Sequence, residues 1–273
     1  MSGEPVLLIT GASSGIGAAV ARRFAREGYR LVLAARRFDR LTDLADEIRV
    51  QGGEALPVAA DLSQVGDVQR LVQVTLDQYH QVDLLFNNAG FGRLDWLEGL
   101  DPLQDVQAQI QVNLLGLIWM AQAVLPHMIE RRSGHIINMG SLAGWIGTPT
   151  YSIYAATKFG VRGFTEALRR ELADTNVTVR YVAPRATRTG INTSAVERMN
   201  AELGVAMDPP ELVAKAVCDM LAGSRVEAVL GWPEKFFARV NGILPRVVDG
   251  ALRKQLPVIR RYAGEPAASV TKS

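Results

Sequence analysis

The chain predicts an α/β protein, a doubly wound parallel sheet of about seven strands with helices on both faces and a helical extension at its C-terminal end. Short runs rich in Val, Ile and Leu alternate with longer amphipathic segments at residues 6–10, 30–35, 55–60, 83–87, 135–139, 178–182 and 227–230. Strands covered on both faces read as such continuous apolar runs, and the segments between them have the length of crossover helices. A glycine-rich turn follows the first run directly, in the order strand, turn, helix. Right-handed crossovers then leave few packings other than a doubly wound sheet.

Composition agrees with one folded domain. The chain has 273 residues, of which 48% are hydrophobic and 21% charged, with a formal net charge of +2. That length buries one large core, and the charge gives no whole-chain reason to expect a nucleic-acid partner. The expected division is an α/β unit at 1–232 and a basic extension at 233–273, with a disordered end. Cys218 is the only cysteine, so no internal disulfide forms; it reads as an inert core thiol in an apolar helix. Residues 1–5 run into the first strand without the charged and apolar regions of a secretory signal, and no uninterrupted apolar run reaches bilayer length, which suggests a cytoplasmic protein. His80, His127 and His135 lack ligand spacing, so no metal is expected.

The first strand ends in Thr10-Gly-Ala-Ser-Ser-Gly-Ile-Gly17, and 18–27 has helical composition. Gly11, Gly15 and Gly17 permit a tight turn and close backbone approach. The helix N-terminus beyond them offers unpaired N–H groups and the positive dipole end to a pyrophosphate, with Ser13, Ser14 and Ile16 on the same turn. A Rossmann-type dinucleotide site follows, although the spacing is Gly-x-x-x-Gly-x-Gly. At the end of the second strand, a carboxylate would bond the ribose hydroxyl of NAD, whereas Arg36 and Arg37 suit a 2′-phosphate. NADP(H) is therefore expected over NAD(H).

Further along, 105–130 has the apolar pattern of a long helix containing Asn113, and Ser141 follows the fifth strand. Tyr154 and Lys158 stand four apart in a helical segment, so they share a face. An ammonium beside the phenol would favour the phenolate and fit Tyr154 for proton transfer near neutrality. Residues 184–210, rich in Gly, Pro and Thr, read as a long loop or short helices of the kind that covers a binding site.

These motifs together resemble the short-chain dehydrogenase/reductase family over about residues 5–230. The match comprises Thr10 to Gly17, Asp61 after the third strand, Asn87-Asn-Ala-Gly90 after the fourth, Asn113, Ser141, Tyr154-x-x-x-Lys158 and the Pro184 segment. The resemblance implies hydride transfer between a nicotinamide and a carbonyl or secondary alcohol. Tyr154 would be the acid/base, Ser141 would bond the reacting oxygen, and Lys158 would tune Tyr154 and hold the nicotinamide ribose. Asn113 would hold a water linking Lys158 to solvent. Asp61, with Leu62 beside it, would bond the adenine amino group, and Asn88, Ala89 and Gly90 would pass under the ribose. Pro184, Thr187 and Thr189 would meet the nicotinamide side. Association of identical subunits through the helices carrying Asn113 and Tyr154 is also implied.

The chain departs from the family where Arg185 replaces a glycine after Pro184. If that position needs positive φ it is strained. Its cation would either point to solvent or recognise an anionic group on the substrate or cofactor. The substrate walls are expected from 91–97, 142–150 and 190–207, with Trp96, Trp145, Ile146 and Met199 making an apolar pocket. Residues 233–262 carry seven Lys or Arg against two acids, a charge of +5, leaving −3 on the remainder. Their apolar positions recur at helical spacing. Such a helix would lie on an anionic membrane surface, cover the pocket, or pack against another subunit. Two rival functions remain: a reductase of carrier-bound 3-oxoacyl groups, for which Arg185 and the basic tail would meet acidic partners, and a dinucleotide-binding regulator without turnover.

Overall fold

The computed structural model describes residues 4–190 and 192–264. The C-terminal end expected to be disordered falls largely outside them. Seven parallel strands form one sheet in the order β3-β2-β1-β4-β5-β6-β7. They are β1 (Val6–Thr10), β2 (Arg30–Ala35), β3 (Glu54–Ala59), β4 (Leu84–Asn87), β5 (Gly134–Met139), β6 (Val177–Ala183) and β7 (Glu227–Val229). Every expected strand is present within about two residues; all five residues of β1 are buried. The order reverses between β1 and β4, whose register pairs Leu8 with Leu85, so a crevice opens beyond their C-terminal ends.

Helices α1 (Gly15–Arg26), α2 (Phe38–Val50) and α8 (Pro210–Ala222) cover one face. Val20, Phe24, Leu41, Ile48, Val213 and Val217 pack there on Leu7, Ile9 and Leu33. The opposite face carries α3 (Val65–Tyr79), α5 (Gly116–Glu130) and α6 (Ser152–Glu171), with Leu71, Met120, Val124 and Leu168 against Leu8, Leu85 and Val179. Cys218 is half-buried at the margin of the first layer, less enclosed than the core thiol expected.

The helical run Pro102–Glu130 is long and apolar enough to cross a bilayer by length and composition. Here Met120, Ala121, Val124 and Met128 bury one side of it in the core. It winds as π turns over Pro102–Gln107 and Gln111–Leu115, around the short α4 (Ala108–Ile110), before α5. Spacing in the sequence gives no sign of these turns, which bring Asp105 and Val112 to the wall of the crevice and bury Asn113 behind it.

The segment after β6 contains α7 (Ser194–Glu202), capped by the Thr193 hydroxyl. Helices α9 (Glu234–Ile243) and α10 (Pro245–Tyr262) follow β7. Ile259 of α10 packs with Leu94, Ala195, Val196 and Met199, and the Tyr262 hydroxyl donates to Glu202 at 2.8 Å. Asn241 donates to the Trp145 carbonyl at 2.8 Å. The extension thus lies on α7 and its neighbours.

Candidate active site

A cleft of about 660 Å³ runs across the switch point, from Arg36, Arg37 and Asp61 past Gly11 to Gly15 and on to Ser141, Tyr154 and Lys158. Its phosphate end is built from backbone. Gly11 and Gly15 have φ of +67° and +57°, a region that favours glycine. A Cβ on Gly17 would lie 2.3 Å from the Gly11 carbonyl oxygen. The α1 N-cap, Ser14, makes no side-chain bond to the helix, and the first turn holds no acid, so its N–H groups are left for an anion. These residues fit a dinucleotide pyrophosphate.

Thr10 and Asn88 hold the turn in place. The Thr10 hydroxyl accepts from the N–H groups of Asn88 (3.0 Å) and Ala89 (3.1 Å), and Asn88 Nδ2 donates to the carbonyls of Thr10 (3.0 Å) and Gly11 (3.2 Å). Asn88 is therefore a clamp between β4 and the glycine turn, besides lining the cleft with Ala89 and Gly90. Arg37 reaches back to the hydroxyls of Ser13 and Ser14, at 3.0 Å each. Burial, with Arg40 and Arg36 close by, holds its guanidinium below the ordinary value. Asp61 and Leu62 line this end; the Asp61 carboxylate accepts from the Ser63 N–H at 3.0 Å.

At the opposite end, Ser141 begins the turn after β5 and Tyr154 and Lys158 lie on α6. The strands beneath are keyed by a buried polar chain: Asn87 Nδ2 donates to Asn138 Oδ1 (3.0 Å), and Asn138 Nδ2 to the Thr165 hydroxyl (2.9 Å). That chain fixes β4 and β5 against α6. Tyr181 on β6 braces the other side, its hydroxyl 3.4 Å from the Ser141 carbonyl, which is why Gly140 and Gly144 have no room for a side chain. Tyr154 lies against Gly92, and Lys158 Nζ is 5.6 Å from the Tyr154 ring centroid.

Burial pushes the Tyr154 phenol above its ordinary value, and the Ser141 hydroxyl works the other way. Desolvation brings the Lys158 ammonium down to about 8. The direction for Tyr154 is opposite to the one expected from its spacing to Lys158. Burial of the phenol dominates, while Nζ donates to the Met139 carbonyl at 2.9 Å and lies 5.6 Å from the ring centroid.

Asn113 is fully buried. Its amide bonds the Phe91 backbone in both directions (2.8 and 2.9 Å), and Nδ2 also donates to the Thr157 hydroxyl at 3.3 Å. The side chain thus positions the loop after Gly90. Pro184, Thr187 and Thr189 line the cleft, and Thr189 packs where a Gly15 side chain would stand.

Two substrate-side expectations are corrected. Trp145 is absent from the cleft wall: the turn Leu142–Gly144 carries it toward Leu117, Val161 and Tyr181, with the Arg162 guanidinium 3.2 Å from its ring centroid. Ile146 and Met199 are likewise buried in packing, and Trp96 lies beneath Arg260. The walls are instead Phe91 to Leu94, Leu142, Tyr151, Asn192, Thr193, Ala195, Val196 and Asn200. Tyr151 escaped sequence reasoning; standing three residues before Tyr154 was its signal, and their rings meet edge-on at 5.9 Å.

Arg185 also differs from both readings of it. Its φ is not positive, so the strain is absent. Its guanidinium bonds Asp208 through two nitrogens (2.9 and 2.7 Å) and lies 3.5 Å from Glu234 at the start of α9. Arg185 thus lines the cleft with its guanidinium committed to two carboxylates.

The family model described as short chain dehydrogenase matches residues 5–200. A 3-oxoacyl-[acyl-carrier-protein] reductase of Synechocystis sp. is 41% identical over 198 residues, 72% of this chain and 78% of the relative. Among solved structures, a short-chain dehydrogenase from Sphingobium yanoikuyae in complex with NADPH is 28% identical with a TM-score of 0.74, covering 97% of this chain and 99% of that one. Another short-chain dehydrogenase/reductase, from Burkholderia phymatum in complex with NAD, is 26% identical with a TM-score of 0.76, covering 97% and 98%. The crevice, the glycine cradle and the Ser141, Tyr154 and Lys158 cluster therefore have a family to which they belong: this chain is a member of the short-chain dehydrogenases, oxidoreductases of alcohol and carbonyl groups.

Proposed function

We propose that the chain is an NADP(H)-dependent carbonyl reductase or alcohol dehydrogenase acting on an apolar small molecule, in the cytoplasm and as a homo-oligomer. One observation carries the reading: the Ser141, Tyr154 and Lys158 side chains meet at one end of a cleft whose other end is the glycine turn and the Arg36 and Arg37 pair. Bound NADPH supplies the hydride. Tyr154 donates its phenolic proton to the carbonyl oxygen, and Ser141 bonds that oxygen as negative charge gathers on it. Lys158, as an ammonium, stabilises the phenolate left behind. Asn113 holds the Phe91 loop against the substrate, and Phe91, Leu94, Tyr151 and Val196 exclude water.

Arg37 supports the NADP preference, since it already sits beside Ser13 and Ser14 where a ribose 2′-phosphate would complete its bonding. Support for self-association is an apolar groove of Ile118, Leu125, Ile129, Phe164 and Leu168 along α5 and α6. A carrier-bound 3-oxoacyl substrate is the second reading, favoured by the activity named for the Synechocystis relative. A screen of NADPH oxidation and NADP reduction over ketones, aldehydes and alcohols of graded chain length tests the proposal. Activity confined to carrier-bound 3-oxoacyl groups, and abolished by salt, would select the second reading.

A further inference from the structure

The C-terminal helices leave a surface that the cleft does not use. Trp232 is 73% exposed, Ile243 78% and Val247 59%, and Phe236, Phe237 and Leu244 are exposed with them. Trp232, Phe236 and Phe237 form one aromatic cluster, with successive ring centroids 6.1 and 5.9 Å apart. Phe236 and Ile243 stand seven residues apart on α9, two turns along one line, while Ala238 points inward and is buried. A contiguous exposed apolar patch on this scale marks an interaction surface.

Its rim identifies the partner. Lys235, Arg239, Arg246, Arg253 and Lys254 form no ion pair among the described residues, while Arg185 engages Glu234, the single acid of α9. Asp249 is the single acid of α10. A second copy of the chain related by two-fold symmetry would bring the same cations face to face. An anionic lipid surface neutralises them and takes the aromatic side chains at the headgroup boundary.

We infer that α9 and α10 dock this protein on an anionic bilayer, with Trp232, Phe236 and Ile243 entering the interface and the unpaired cations on the headgroups. The opposite side of α10 packs on α7, whose Ala195 and Val196 line the cleft, so the docked face adjoins the helix that covers the substrate side. This assignment is independent of hydride transfer.

The test is co-sedimentation of the full chain with vesicles of phosphatidylcholine alone and with about 30% phosphatidylserine. Partitioning onto the anionic vesicles is at least about tenfold stronger and weakens with salt. The triple variant Lys235→Glu, Arg239→Glu, Arg246→Glu removes the anionic preference, and Phe236→Ser with Ile243→Ser weakens binding to both vesicles. Unchanged thermal unfolding and NADPH binding establish that each variant folds. Equal recovery of folded wild-type protein with and without vesicles overturns the inference. So does a fall in subunit number caused by Phe236→Ser with Ile243→Ser, which would give the patch to a second copy of the chain.

Discussion

Replacing Arg185 with methionine keeps an apolar stem and removes the guanidinium that joins three segments. Asp208, whose side chain is 8% exposed, then loses the only side-chain donors it has among the described residues. Breaking a fully buried pair costs about 3–5 kcal/mol and an exposed one about 0–1. With Arg185 itself 19% exposed, the expected loss lies between, at about 2–3 kcal/mol. For a chain of this size, that lowers Tm by about 5 °C in differential scanning calorimetry. Adding Asp208→Asn removes the stranded charge and restores more than half of the loss. The Thr187 segment also rests on Asp208, through the bond from Arg188 N–H to the Asp208 carbonyl at 2.8 Å, so the KM for NADPH rises in the single variant. Because the cation is already committed, kcat/KM for neutral and carboxylated ketones falls by one common factor. A Tm shift below about 1 °C would refute the clamp, and a loss confined to anionic substrates would return Arg185 to substrate recognition.

Four further outcomes follow from the cleft. Lys158 is cationic below about 8, so kcat/KM for carbonyl reduction falls as pH rises through that value, and Lys158→Met removes this limb; a flat profile through the same range would contradict its role. The same depressed value makes the buried ammonium a cost to folding below about 8, so unfolding free energy rises with pH above it until the unfolded lysine value near 10.5. Arg37→Ala lowers kcat/KM for NADPH by about 10- to 100-fold, the worth of a charge-assisted bond or two, and leaves NADH nearly unchanged; an equal effect on both would remove the 2′-phosphate assignment. Gly17→Ala places a methyl group against the Gly11 carbonyl and abolishes dinucleotide binding by fluorescence titration, where near-normal affinity would show that the turn does not hold the pyrophosphate.

The strands were legible because a buried parallel strand is apolar throughout, and the order of strand, glycine turn and helix carried the crevice with it. Tyr154 and Lys158 could be paired because a spacing of four is a property of any helix. What spacing does not contain is the partner contributed by a distant segment. Trp145 looked like a pocket wall until Arg162 and Tyr181 turned it inward, and Arg185 looked free until Asp208 met it from 23 residues away. Asn113 shows the same limit. Its helix was legible, but the π turns that aim its amide at Phe91 depend on packing against the sheet and α6, which no local pattern encodes.

The proton transfer assigned to Tyr154 is tested most directly by Tyr154→Phe, which keeps the ring against Gly92 and Tyr151 and removes one oxygen. NADPH binding, followed by nicotinamide fluorescence, stays within a few-fold of the wild type while kcat for ketone reduction falls by about 10²- to 10⁴-fold. Turnover persisting near the wild-type rate with cofactor bound would mean that another group delivers the proton.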